Sequence, residues 1–238
     1  MKFKLHFLFS LVAFVSTSLT ASLMGQSGIV VTGITPPITA VDPEGNTVSL
    51  INGDTIQKGW TIRSGSDSGI MFKFPTGEIL SMDGNSDVTI LGMDPVTIDL
   101  KNGRVTNKSV EGREFAVKTP YGFVSSDSSE EGIFSVETNP SDKTDVSLLQ
   151  GSVRINGSSL SDFVLSDEPD APGGPKQPRK TSIPGGIVKN LSDAEIVEIA
   201  AKMEMATLMI AQLQGNNFIT TVPVFNDPTQ LLEVSESL

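Results

Sequence analysis

Across residues 48 to 155 apolar side chains recur at every second position: Phe72/Phe74, Val88/Ile90, Ile98/Leu100, Phe115/Val117, Phe134/Val136, Val146/Leu148 and Val153/Ile155. A period of two belongs to strands that bury one face, and the interleaved Lys73, Thr89, Asp99, Ala116 and Ser135 place a mostly polar set on the other. Turn formers separate the pairs, among them Asn52-Gly53-Asp54, Pro75-Thr76-Gly77, Asp83-Gly84-Asn85, Asn102-Gly103, Thr119-Pro120 and Asn139-Pro140. Short strands with regular turns predict an all-β main domain over residues 48 to 156. A helical reading of this region would need long runs free of Gly and Pro with apolar spacing of three and four, which it lacks.

The pattern changes on both sides of that domain. Residues 1 to 25 hold Lys2 and Lys4, an apolar run from Leu5 to Val15 and a small-residue stretch from Ser16 to Ser22, the three-part plan of a cleaved secretory signal. Residues 26 to 47 are read as an N-terminal extension. Over residues 157 to 190 the chain turns to Pro169, Pro172, Pro175, Pro178 and Pro184 with two Gly-Gly pairs, which reads as an extended, flexible linker. A helix is predicted over residues 191 to 215, because Ser192 and Glu195 stand in capping-box spacing ahead of a stretch free of Gly and Pro. Its stripe of Ile196, Ile199, Met203, Ile210 and Leu213 requires a cover, supplied by the β-domain or by another chain. Set behind a Pro/Gly stretch, the helix is expected to be a tethered appendage. Met203, Met209 and Ile210 are then the candidate contacts for a partner or for self-association, and residues 216 to 238 form a tail.

Composition narrows the function. With 17 Lys and Arg against 28 Asp and Glu, the net charge is -11, and the loss of the leader would leave 15 against 28. So acidic a chain is repelled by phosphate backbones, so no nucleic-acid partner is expected. There is no Cys, which excludes disulfides, thiolate metal sites and cysteine nucleophiles. The one His, His6, lies within the predicted leader, so the exported chain would have no imidazole for a triad or a metal. No cofactor and no enzymatic activity are expected, and no segment after the leader is long and apolar enough to span a bilayer.

At this point an ordered series of motifs becomes recognisable. Leu50-Ile51-Asn52-Gly53-Asp54, Ile56, Gly59-Trp60-Thr61-Ile62 and Ser64-Gly65-Ser66-Asp67-Ser68 resemble the opening of FecR-type domains. Phe74 to Leu80, Asn85 to Ile90, Leu100 to Val105, Phe115 to Pro120, Phe134 to Glu137 and Leu149 to Val153 follow in family order. The resemblance covers about residues 48 to 155. The family's Gly-Thr-x-Phe signature is replaced here by Glu131-Gly132-Ile133 before Phe134, which marks a divergent copy. The resemblance implies a periplasmic or surface β-domain, β-solenoid-like or a twisted β-sandwich of short strands, that makes protein contacts in transmembrane signalling. Its partner would be an envelope or surface protein. The sigma-regulator role is not carried over.

Two constellations invite a chemical reading. Asp83, Asn85 and Asp87 alternate as calcium ligands would, with Asp94 at the twelfth position, although Val88 stands where the loop needs Gly. Glu130 and Glu131 imitate a carboxylate pair, but sequence neighbours on extended backbone point to opposite sides. A carbohydrate-binding β-module is the alternative to a protein-interaction module. It would present aromatic platforms, and Trp60, at the start of an alternating strand, reads as a core residue.

Overall fold

In the computed structural model the described residues are 28–157, 163–168, 176–183 and 189–214, with side chains of the final helix described to Thr207. The sequence-predicted leader and tail lie outside them. In chain order the strands are β1 (Ile29–Thr35), β2 (Ile38–Val41), β3 (Thr47–Val48), β4 (Thr55–Ile56), β5 (Thr61–Ser64) and β6 (Gly69–Lys73). There follow β7 (Ile79–Met82), β8 (Asp87–Met93), β9 (Val96–Lys108), β10 (Phe115–Thr119), β11 (Gly122–Ser126) and β12 (Ile133–Thr138). The last are β13 (Thr144–Gln150), β14 (Ser152–Gly157), β15 (Phe163–Ser166), β16 (Arg179–Ile183) and β17 (Lys189–Asn190), then helix α1 (Asp193–Gln214).

These strands pair in two layers that share β9. Layer A runs β4-β1-β6-β7-β9-β12-β13-β16-β17. Layer B runs β3-β2-β5-β8-β9-β10-β11-β14-β15. The first half of β9 pairs with β8 and β10, and from Gly103 onward it pairs with β12 and then β7. Gly103 makes the transfer possible. Its φ is +87°, and a Cβ there would collide with Ser86 Oγ and meet Ser86 Cα at 2.5 Å.

The layers close on each other through the side chains that the period of two selects. Every residue of the seven apolar pairs is fully or almost fully buried, and all of them belong to a single contiguous core. Phe115 of layer B stands edge-on between Phe74 and Phe134 of layer A, with ring centroids 5.8 and 6.4 Å away. Edge-to-face contacts of this kind add about 0.5–1.5 kcal/mol each beyond the area they bury. The all-β expectation therefore holds, with the strands arranged in two layers that share β9 and, among the described residues, one C-terminal helix.

Three segmental expectations are corrected by the pairing. The stretch read as an N-terminal extension supplies β1, β2 and β3, because Ile29, Val31 and Ile34 carry the same alternation into the core. The stretch read as a flexible linker contains β15, β16 and β17, since Leu165 and Ile183 reach the core from among the prolines and glycines that masked them. Helix α1 is no appendage. It lies against β1, β7, β9 and β13 of layer A and buries Ile199, Met203 and Ala206. Among the described residues no helix is long and apolar enough to cross a membrane.

Candidate functional site

A cleft lies where α1 meets layer A. It encloses about 490 Å³ with a floor of Arg104, Ser135, Glu137, Asp145 and Ser147, and with Lys180, Lys189, Glu195 and Glu198 along its sides. The floor follows from strand alternation. Val105, Val136 and Val146 point into the core, so Arg104, Ser135, Glu137, Asp145 and Ser147 point outward on the facing strands.

The helix brings the acidic wall. Its start is fixed by the predicted capping box: the Ser192 backbone N–H donates to Glu195 Oε2 at 2.8 Å, and the Glu195 N–H donates back to Ser192 Oγ at 3.4 Å. Glu195 also accepts from Lys180 Nζ at 2.7 and 3.0 Å. Burial by itself would raise the Glu195 pKa, but the hydrogen bonds from Lys180 and Ser192 outweigh it and hold the carboxyl at about 2. One turn later Glu198 accepts from Arg104 Nη1 at 2.7 Å and stands 3.3 Å from Lys202. Lys202 itself donates to Asp83, which lies 3.9 Å from Arg104. Four charges of alternating sign thus join the helix to the turn before β8 and to β9. At the far side Lys143 lies 3.1 Å from Asp145, and that hydrogen bond raises the lysine's pKa.

Beneath the helix the layer presents hydroxyls. Ser135 Oγ accepts from Thr106 at 3.1 Å and from Arg104 Nε at 3.0 Å, and donates to the Val105 carbonyl at 3.0 Å. The cleft therefore offers mainly paired charges, an occupied hydroxyl at Ser135 and a Thr181 hydroxyl without a hydrogen-bond partner. It suits recognition of a hydrogen-bonding surface rather than an apolar ligand.

The sequence-predicted site residues fare differently. Asp83, Asn85, Asp87 and Asp94 are not brought together. Asp83 pairs with Lys202, Asp87 with Arg63 at 2.8 Å and Asp94 with Arg113 at 2.7 Å, while Asn85 is a left-handed turn residue whose carbonyl accepts from Asn102. The extended strand β8 sets Asp94 about 20 Å beyond Asp87, so the calcium reading is corrected. Among the described residues no group of three or more His, Cys, Asp or Glu is placed to hold a metal ion. Glu130 and Glu131 diverge as expected, toward Lys176 and Lys108 respectively. Met203 is buried against layer A rather than presented to a partner, and Met209 and Ile210 lie outside the residues whose side chains are described. Trp60 and Tyr121 pack on the core, so neither forms an exposed platform.

Arg104, Glu198 and Lys202 were not singled out by sequence. The i, i+4 spacing of Glu198 and Lys202 was visible, but their partners lie 94 and 119 positions away.

No curated protein matches the chain. Two crystal structures of a "putative anti-sigma factor" from Parabacteroides distasonis ATCC 8503, at 2.50 and 1.65 Å resolution, align with TM-scores of 0.45 and identities of 13% and 12%. Each alignment covers 74% of this chain and 90% of the other. The family model described as FecR protein matches residues 60–154, which run from the start of β5 through β14 and include the shared strand β9 and the floor of the cleft. The chain therefore carries a FecR-type domain over residues 60–154.

Proposed function

We propose that the protein is an exported, non-catalytic protein-interaction module of the bacterial envelope, working in signalling or assembly. The FecR-type domain over residues 60–154 carries this reading. The chemistry of the cleft supports it. Its carboxylates Asp145, Glu195 and Glu198 face lysines or arginine rather than a nucleophile, and its hydroxyl at Ser135 is engaged by three neighbours. Groups paired in this way offer fixed charge for a partner surface of complementary charge to recognise. The leader-like residues 1 to 25 support export.

The experiment is site-specific photocrosslinking in a diderm host carrying the full chain with its own leader. A crosslinker replaces Val197, which is exposed on the outer side of α1, or Lys189, at the cleft rim. One discrete adduct in the periplasmic or envelope fraction is expected from these positions and not from Ile51, which is exposed elsewhere. Retention of the chain in the cytoplasm refutes export. Equal, diffuse labelling from all three positions refutes a specific interaction surface.

A further inference from the structure

We propose that α1 is a displaceable cover, clamped by the Arg104–Glu198 and Lys202–Asp83 ion pairs over a row of hydroxyl groups on layer A. Across four neighbouring strands the residues facing the helix side are Ser81, Thr106, Ser135 and Ser147, each directly opposite the next in register. Ser81, Thr106 and Ser135 are buried. A sheet face that is covered permanently is normally apolar, because burying a hydroxyl gains nothing over leaving it in water. This face is built to tolerate water.

The second observation concerns the apolar residues of the helix. Ile199, Met203 and Ala206 are buried, yet they stand outside the contiguous core that holds both layers together. Lifting the helix exposes their surface and the hydroxyl row while Phe72, Phe115 and Phe134 stay enclosed. An opening that leaves the main core intact costs less than global unfolding and so is populated more often. The third observation is the clamp. The two pairs join α1 to β9 and to the turn before β8; Lys202 is buried, while Arg104, Glu198 and Asp83 keep 21%, 31% and 26% of their side-chain surface exposed, so salt reaches the clamp chiefly at those three groups. Charge that closes the cover also makes it releasable, by ionic strength or by a partner with a competing charge. This opening is a property of the chain itself and does not depend on the interaction proposed above.

The chain's lack of Cys supplies the test. Ser81→Cys places a thiol under the helix, and Val117→Cys places one in the main core, where only global unfolding exposes it. With a soluble thiol reagent, Ser81→Cys should react at least about tenfold faster than Val117→Cys. That rate should rise about tenfold more between roughly 0.05 and 1 M NaCl, as the screening length falls to about 3 Å. Adding Glu198→Gln should reproduce the salt effect at low salt. Amide exchange on the unsubstituted chain gives the same comparison without any thiol, with residues 196–206 exchanging ahead of β9 and β12. Equal rates for the two thiols and common exchange of helix and strands overturn the cover. Unequal rates that ignore both salt and Glu198→Gln overturn the clamp.

Discussion

The two faces of layer A are made by alternate residues of the same strands, yet they follow different rules. The inner face carries Phe72, Leu80, Phe134 and Leu148 across β6, β7, β12 and β13, while the outer face carries Met71, Ser81, Ser135 and Ser147 at the adjoining positions. The inner face meets another sheet and excludes water by area. The outer face meets a helix through hydroxyls and ion pairs as well as the buried Ile199, Met203 and Ala206 of the helix. Burial is nearly equal at Phe134 and Ser135, at 0% and 2% exposure, so burial does not by itself report what holds a surface together. The chemistry of the buried groups does.

Truncation of neighbours on opposite faces gives the largest contrast. Phe134→Ala should lower stability by about 3–5 kcal/mol in urea melts, from lost transfer energy and the cavity left behind. Ser135→Ala removes no core volume, and loss of its hydrogen bonds should cost about 1 kcal/mol. Equal costs would mean that the outer face is as much a core as the inner.

The hinge between the layers should come next. Gly103→Ala forces a side chain into a left-handed conformation and against Ser86, which should cost about 2–5 kcal/mol. A variant that melts with the parent would show that β9 can change layers without this bend.

A polar residue on the inner face sharpens the comparison. Asn107 is fully buried between Leu80 and Phe134 in register, and neither its Oδ1 nor its Nδ2 has a partner. Asn107→Val should therefore stabilise the protein, by about 1 kcal/mol, read as a higher urea midpoint at constant slope. Loss of stability would show that the amide is satisfied in solution.

The smallest effect belongs to the helix start. Glu195 has a folded pKa of about 2 against an ordinary 4.5, so the contribution of its ionised form is complete above about pH 5 and is lost as the pH falls toward 2. Helical circular dichroism should decline over that window, ahead of the β signal. In Glu195→Gln the same window should be flat.

The strands were legible because alternation is local. A residue two positions from Phe72 or Phe115 must share its face whatever the rest of the chain does, so the seven apolar pairs identified β6, β8, β9, β10, β12, β13 and β14 and about half of the core. The capping box was legible for the same reason, since Ser192 and Glu195 are three positions apart and meet within one turn. The strands β15 and β16 were not, because prolines and glycines around Leu165 and Ile183 carried a local signal for irregular backbone that pairing with β14 and β13 overrode. Nor could spacing show that the candidate calcium ligands would each find a different cation, at Lys202, Arg63 and Arg113.

By itself, then, the sequence determined the β-class of the domain, its motif series, its acidic charge and the capped helix, because each rests on contacts between residues close along the chain. Only the tertiary structure decided that β9 serves both layers, that α1 covers layer A, and that Arg104 meets Glu198 across 94 positions. Those depend on which outward faces the closing of the sandwich leaves free, and loop closure over such distances leaves no local periodicity to read.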